Sequence, residues 1–338
     1  MHKRLAALAL AAASVIVLSG CSTSAPAQGA GEGAVQVVAS TNVYGSLAAE
    51  IGGDRVTVTS LIDSVSKDPH SYEATARDRL AVQKADLVIE NGGGYDSFME
   101  ELRDGSDATV ITAAEFSHDY PGATVADDEH SDEHEHAEDH SDEHEHSEDA
   151  NDHDHADEHG HSHIEGFNEH VWFDSHTISH VAEQITADLT ELDPAGKTEF
   201  AANAKKLADE LDGIETELDA LHEKLEGTPV FITEPLPGLL AAAAGLDDVT
   251  PDGFASAVEE GNDVAPATLL EALDLIEHDK VRAVLANAQT GGSETSRVED
   301  AAKQAGIPVL TFSELLEPNQ SYAEWMRAAI SDLAALQK

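Results

Sequence analysis

The segment 194–227 constrains the fold more than any other, because its apolar side chains recur at intervals of three and four. This spacing is that of one face of a helix. Pro194 suits a helix start and Gly227 suits a helix end. We therefore predict one helix of roughly 33 residues and about 50 Å. Such a helix either projects as a coiled-coil arm or runs as a rigid spine along two folded lobes, and we favour the spine. The repeating apolar positions are Phe200, Leu207, Leu211, Ile214, Leu218, Leu221 and Leu225.

Short apolar runs alternate with helical patterns on both sides of this segment. Strands are predicted at Val35–Ala39, Val56–Ile62, Asp86–Glu90 and Thr109–Thr112, and then at Val230–Thr233, Val281–Ala286 and Pro308–Phe312. Strands that alternate with helices favour a mainly parallel sheet flanked by helices. We predict an α/β fold of two similar lobes, residues 35–193 and 228–338, joined by one long rigid helix over 194–227. Ligands of such folds bind in the cleft, at the carboxyl ends of the strands.

The first 34 residues have the pattern of a secreted, membrane-attached protein. Residues 1–21 combine a basic start with an apolar run too short to span a bilayer. They end in Leu-Ser-Gly-Cys, which resembles a bacterial lipobox, so we expect Cys21 to be lipidated. Cys21 is the only cysteine, which excludes a disulfide within one chain. Residues 22–34 are small and polar, as in a flexible tether. We expect an extracytoplasmic protein held on the cell membrane by its lipid.

Residues 127–163 form a tract with eleven histidines, seventeen acids and no lysine or arginine. It includes a ten-residue repeat, SDEHEHAEDH at 131–140 and SDEHEHSEDA at 141–150. A segment with so few apolar side chains cannot offset the entropy of its own ordering, so we predict a disordered insertion. Closely spaced imidazoles favour borderline divalent metals, zinc above all. We predict an accessory metal tract made of His130, His134, His136, His140, His144, His146, His153, His155, His159, His161 and His163.

The net charge argues against one class of partner. The chain carries a formal charge of −49, and the tract accounts for −17 of it, which leaves −32 on the rest. Nucleic-acid binding requires a basic surface, so we predict no nucleic-acid partner.

Three side chains outside the tract are placed where a cleft site is expected. His70 follows the strand that ends at Ile62, and His170 precedes a predicted helix within an Asn-Glu-His-Val-Trp-Phe-Asp segment. Asn168 or Asp174 is suited to orient that imidazole. Glu234 is the first charged residue after the strand at Val230–Thr233. Each has a plainer interpretation: a loop histidine, a histidine at the edge of the core, and a carboxylate at a helix start.

At these residues the chain resembles a known family. DPHSYEATARD, EHVWFD and VFITEPLPGLLAAAAGL, in this order, are similar to the ZnuA-like metal-binding proteins of bacterial ABC importers for zinc and manganese. The resemblance covers essentially the whole mature chain, including STNVYGSLAAEIGG and GIPVLTFSELL. It implies that His70, His170 and Glu234 bind the metal in the cleft. It also implies a permease with a cytoplasmic ATPase as partner, and we expect a monomer.

The fourth ligand and the metal stay open. Relatives are expected to carry an aspartate after the strand that here is Val281–Ala286, but this chain has none there. Glu294, a water or a tract histidine are the alternatives. The Glu234 carboxylate slightly favours Mn(II), whereas the histidines of the tract favour Zn(II) more strongly. We therefore predict Zn(II), with Mn(II) as the alternative.

Two other classes of function compete with metal delivery. Two imidazoles, one carboxylate and an open position also describe a hydrolytic zinc site. The sequence has no HExxH pair and no nucleophile with a matching base, so we predict that the protein is not an enzyme. A zinc buffer would need only the tract and would leave the two lobes without a role.

His176 and His180 are four residues apart on a predicted helix, a spacing that is able to chelate a metal. A surface or helix-start role is the plainer interpretation.

Overall fold

The computed structural model describes residues 33–67, 69–121, 164, 166–278 and 280–337. The predicted signal segment with Cys21 and the histidine-rich tract 127–163 lie outside these residues, as does most of the predicted tether. Within the described part of the chain, no helix is long and apolar enough to cross a membrane.

The described residues before the long helix form four strands and four α-helices. These are β1 (Val35–Thr41), α1 (Asn42–Gly52), β2 (Val56–Ile62), α2 (Ala76–Val82), β3 (Leu87–Glu90), α3 (Phe98–Arg103), β4 (Thr109–Thr112) and α4 (Ser175–Leu192). The long helix and the elements after it are α5 (Lys197–Leu225), β5 (Thr228–Ile232), α6 (Gly238–Ala243), β6 (Leu246–Asp248), α7 (Phe254–Glu259), α8 (Pro266–Glu277), β7 (Ala283–Asn287), α9 (Ser293–Ala305), β8 (Val309–Phe312) and α10 (Tyr322–Ala334).

Each lobe contains one four-stranded sheet in which all pairs are parallel. The strand order is β2-β1-β3-β4 in the first lobe and β6-β5-β7-β8 in the second. All four residues of β3 and all five of β7 are buried, because helices cover both faces of the sheets. The two sheets have the same topology, which confirms the predicted fold class of two similar lobes. In both sheets the second strand lies on one side of the first strand, and the third and fourth strands lie on the other side. Sheets of this kind bind ligands at the point where the strand order switches sides.

The long helix α5 runs along both lobes rather than projecting from them. It packs against α1 and α4 of the first lobe and against α6 and α10 of the second. All seven apolar positions of its predicted repeat are buried, and they belong to one core that extends through both lobes. The helix begins at Lys197, three residues after the predicted start, because residues 194–196 form a turn in which the Gly196 amide donates to the Asp193 carbonyl. This arrangement is the predicted spine.

The last helix also ties the lobes together. The Tyr322 hydroxyl of α10 donates to the Trp172 carbonyl at 2.7 Å, and the Trp325 ring stacks on Phe173. Near the cleft, the Asn42 side chain donates to the Leu316 carbonyl and accepts from the Leu316 amide. These contacts resist a wide separation of the lobes.

Two short elements have no counterpart in the sequence prediction. The strand β6 has three residues and the helix α7 has six. Neither is long enough to show a strand or helix period, so residues 245–264 carried no pattern. Phe254 is fully buried and packs edge-on against Phe231 of β5, so tertiary contacts hold α7 in place.

Candidate functional site

Loops at the carboxyl ends of both sheets converge on one buried cluster in the cleft. Five side chains with metal-binding groups are involved, and both lobes contribute. They are His70 after β2, His170 before α4, Glu234 after β5, Glu259 at the end of α7 and Glu314 after β8. A further polar layer from β7 and its loop supports them. We call these five residues the cleft cluster.

The two imidazoles lie side by side in the first lobe. Their ring centroids are 5.9 Å apart, His70 is 7% exposed and His170 is fully buried. The Tyr95 ring packs edge-on against both of them, and the Trp172 ring packs edge-on against His170. These edge-on aromatic contacts hold the planes of the two imidazole rings and shield them from water. The structure therefore brings together two histidines that are 100 positions apart in the sequence.

One hydrogen bond orients the His170 ring. Its Nδ1 lies 2.8 Å from the Asn168 Oδ1, and the same oxygen accepts from the His170 backbone amide at 3.0 Å. When Nδ1 carries the proton for this bond, Nε2 presents its lone pair to a metal. Asp174, the alternative partner, instead accepts from the His176 and Thr177 amides and caps α4. The Asn168 amide group also donates across the cleft to the Pro235 carbonyl at 2.9 Å.

The Glu259 carboxylate lies close to both imidazoles. One ligand atom from each of His70, His170 and Glu259 lies within 4.8 Å of the other two. The Glu259 Oε1 is 3.7 Å from the His170 Nε2, and its side chain is 7% exposed. A tetrahedral zinc ion holds donor atoms about 3.3 Å apart, so the Glu259 Oε1 and the His170 Nε2 are already close to that spacing.

Glu314 links the two lobes at the base of the cluster. Its Oε2 accepts from the Tyr95 hydroxyl at 2.8 Å and lies 3.6 Å from the His70 Nε2, while its Oε1 accepts from the Asn287 amide at 2.6 Å. Burial is the main cause that raises the pKa of Tyr95 well above its ordinary value, and the Glu314 carboxylate adds to this rise. The phenol therefore stays protonated and continues to donate its hydrogen bond. Glu314 is fully buried, and it is well placed to face a cation from the second lobe.

Glu234 is buried in the second lobe beside Glu314 and His70. Its Oε1 accepts from the Thr290 hydroxyl. Burial raises the pKa of Glu234 above its ordinary value; the Thr290 hydrogen bond opposes this rise, and the Glu314 carboxylate adds to it. A cation in the cluster would favour the ionised carboxylate. Glu234 is outside the group of His70, His170 and Glu259, whose ligand atoms lie within 4.8 Å of one another.

Glu294 lies outside the cleft cluster. It lies in the first turn of α9, half-buried, and its carboxylate accepts from the Ser293 hydroxyl at 2.8 Å. The end of β7 and the loop after it, where a carboxylate was expected, contribute Asn287 and Gln289 instead. Asn287 donates to the Glu314 carboxylate, and the Gln289 side chain accepts from the Glu314 amide. The loop after β7 thus positions a carboxylate that comes from the loop after β8.

Two members of the cleft cluster were missed by the sequence analysis. Glu314 carried a usable signal, because it is the first carboxylate after the predicted strand at Pro308–Phe312. Glu259 carried none, since it lies next to Glu260 in a segment without a period.

Comparison with known proteins agrees with this architecture. The family described as "Zinc-uptake complex component A periplasmic" (ZnuA) matches residues 37–336. The chain belongs to the ZnuA family. The match covers nearly all of the described residues, and it confirms the family that the dispersed motifs indicated.

Two curated relatives of this ZnuA-family chain are lipoproteins named for manganese. The manganese-binding lipoprotein MntA of Halalkalibacterium halodurans is 25% identical over 225 residues, which are 65% of this chain and 60% of that protein. The manganese ABC transporter substrate-binding lipoprotein PsaA of Streptococcus mitis is 24% identical over 64% of this chain and 60% of its own. The chain therefore matches 60% of the length of these relatives.

Solved structures share the fold. The periplasmic zinc-binding protein TroA of Treponema pallidum has a TM-score of 0.66 at 18% identity, covering 90% of this chain and 99% of that one. The protein FpvC of Pseudomonas aeruginosa, solved in complex with Mn²⁺, has a TM-score of 0.62 at 18% identity, with 90% and 98% covered. At this identity the likeness establishes the two-lobed fold.

Proposed function

We propose that this protein captures a divalent transition metal outside the cytoplasm and delivers it to an ABC permease with its cytoplasmic ATPase. Zn(II) is the first candidate cargo, and the protein would act without a catalytic step. One observation carries the proposal, namely the convergence of two imidazoles and the Glu259 carboxylate in the cleft, with the Glu314 and Glu234 carboxylates beside His70. The names of the two relatives, a manganese-binding lipoprotein and a substrate-binding lipoprotein of a manganese ABC transporter, support the same function.

The charge of the cleft cluster supports cation binding. When Glu234, Glu259 and Glu314 are ionised, they place three negative charges in a site with little contact to water. Buried like charges repel each other, and their desolvation is costly unless a cation compensates them. The two imidazoles are neutral when they act as ligands. A divalent ion would neutralise most of this charge, so the five residues of the cleft cluster are the proposed ligand set.

Mn(II) is the second candidate cargo, and Glu259 is the observation that favours it. Manganese prefers carboxylate and water ligands, whereas zinc accepts imidazole readily. A site with three carboxylates and two imidazoles suits manganese better than the one-carboxylate site expected from the sequence. The histidine-rich tract still favours zinc as the metal that the protein gathers.

The remaining features fit the same proposal. A lipid on Cys21 would hold the protein beside its permease, and the protein would act as a monomer. The tract is joined to the fold near His170, so metal bound there would be at high effective concentration close to the cleft. The spine α5 would restrict the lobes to small tilts during loading and release.

Metal uptake by cells tests the proposal. A strain that lacks the gene is complemented with the wild-type chain or with a His70→Ala, His170→Ala double variant, and uptake of radioactive zinc and manganese is measured at limiting metal. We expect the double variant to fall to the level of the uncomplemented strain. The control is His118→Ala, which removes an exposed histidine. Equal uptake with the double variant would refute the proposal, and the isotope that is taken up identifies the cargo.

Glu259 provides a second test with a matched neighbour. Glu259→Gln removes a negative charge 3.7 Å from the His170 Nε2, so we expect the affinity for Mn(II) to fall about tenfold or more and the affinity for Zn(II) to fall less. Glu260→Gln, next in the chain, changes an exposed carboxylate that accepts from Asn262. It should change either affinity by about twofold at most. Calorimetric titration of both variants measures this, and equal effects of the two substitutions would remove Glu259 from the ligand set.

A further inference from the structure

A second pair of histidines lies on the surface of α4, outside the cleft cluster. His176 and His180 are one helical turn apart, with His176 exposed and His180 half-buried. Their ring centroids are 4.7 Å apart, the rings are nearly perpendicular, and the two Nε2 atoms face each other at 3.3 Å. The opposite face of the helix is buried in the core, so this pair points away from the packed interior.

The separation of the two nitrogens matches the bite of one metal ion. Two donors 3.3 Å apart, each bonded at about 2.05 Å, subtend an angle of about 107° at the ion. This angle is close to the tetrahedral value that zinc prefers. Residues at positions i and i+4 of a helix are neighbours on its surface, so the backbone already holds the pair at this spacing.

A neighbouring carboxylate orients the His180 ring, and a helix cap holds the backbone at His176. The Nδ1 of His180 lies 3.6 Å from the Glu183 carboxylate, which favours the tautomer with a proton on Nδ1 and a lone pair on Nε2. At the start of the helix, the Asp174 side chain accepts from the His176 and Thr177 amides. This cap fixes the backbone at His176 in the first turn, where helices otherwise fray.

We propose that His176 and His180 form a second metal site on the surface, which binds one borderline divalent cation and prefers Zn(II) to Mn(II). Two imidazoles and no carboxylate donor give this preference, because manganese favours oxygen ligands. Two protein ligands leave the other coordination positions to water, so the ion exchanges readily. In the absence of metal, a His176 tautomer with a proton on Nε2 would donate to the His180 Nε2. The site uses no residue of the cleft cluster and does not depend on the proposed function.

Chemical protection of individual histidines tests the site in the full chain. The protein is treated with diethyl pyrocarbonate at buffered free zinc, and the modification of each histidine is followed by peptide mass spectrometry. At free zinc about four times the dissociation constant, occupancy is about 80%, so modification of His176 and His180 should slow about fivefold. Mn(II) at the same free concentration should leave the modification rates of His176 and His180 unchanged. Zinc should leave the modification rates of the exposed His118 and His278 unchanged.

Single variants separate one shared ion from two independent effects. In His180→Ala, zinc should no longer protect His176, and in His176→Ala it should no longer protect His180. The His70→Ala, His170→Ala double variant should retain the protection, since the two sites are separate. Undiminished protection of one histidine after loss of the other would overturn the proposal. Absence of protection in the wild-type chain up to millimolar free zinc would overturn it as well.

Discussion

Replacing His170 by alanine is expected to lower the affinity of the cleft for zinc by roughly a hundredfold or more. Structural zinc sites of four ligands contribute about 10–16 kcal/mol, so one ligand accounts for about 3 kcal/mol. His170 is fully buried and its Nε2 faces Glu259, so water cannot replace the imidazole without rearrangement. The same change leaves the Asn168 side chain without its ring partner.

Tryptophan emission can measure the zinc affinity of the cleft separately from that of the tract. The Trp172 ring centroid is 5.2 Å from that of His170, so its emission should respond to metal in the cleft cluster. In a Trp325→Phe background, Trp172 is the only tryptophan. Zinc titrations of this chain with and without His170→Ala compare the two affinities, and His118→Ala is the matched control. An unchanged titration in the His170 variant would exclude His170 as a ligand.

Replacing Trp172 by alanine is expected to lower the free energy of unfolding by about 3–5 kcal/mol. Trp172 is among the largest fully buried side chains. Its ring packs against Tyr95 at a centroid distance of 4.7 Å, and its carbonyl accepts from Tyr322. The substitution therefore opens a cavity beneath the cleft cluster, at a point where α10 meets the first lobe. We expect the metal affinity to fall as well, because the cavity frees the rings of Tyr95 and His170.

Urea denaturation followed by far-ultraviolet circular dichroism measures this loss without relying on tryptophan emission. Trp172→Phe is the control, since it retains an aromatic ring, and it should cost about half as much or less. Because one core runs through both lobes along α5, both should unfold in the same transition. A loss below about 1 kcal/mol for Trp172→Ala would show that the site collapses around the missing ring.

Much of the architecture could be predicted because its signals are local. The apolar repeat of α5 covers seven positions, and the strands β1, β3, β5 and β7 stand out as apolar runs between polar loops. The cleft histidines could be proposed because His70 and His170 lie in distinctive segments beside predicted elements. Glu234 could be proposed because it directly follows a strand.

The rest of the cleft cluster depends on contacts that no local pattern records. Glu259 reaches the imidazoles from a six-residue helix that is held by the packing of Phe254 on Phe231. Glu314 was missed because the expected carboxylate was assigned to the loop after β7, whereas the last residue of β7, Asn287, supplies the side-chain amide that holds Glu314. Glu294 looked equivalent in sequence, but its position in the first turn of α9 directs it to Ser293.

The amino-acid sequence by itself determined the two βα-rich halves and the long amphipathic helix between them, and it supplied three candidate ligand positions. Helix and strand periods and the residues that end them act over a few neighbours, so they can be read along the chain. Only the tertiary structure decided which carboxylates face His70 and His170. Their placement depends on how two sheets and α10 pack around α5, and that packing joins residues separated by more than 200 positions, as in the hydrogen bond between Tyr95 and Glu314.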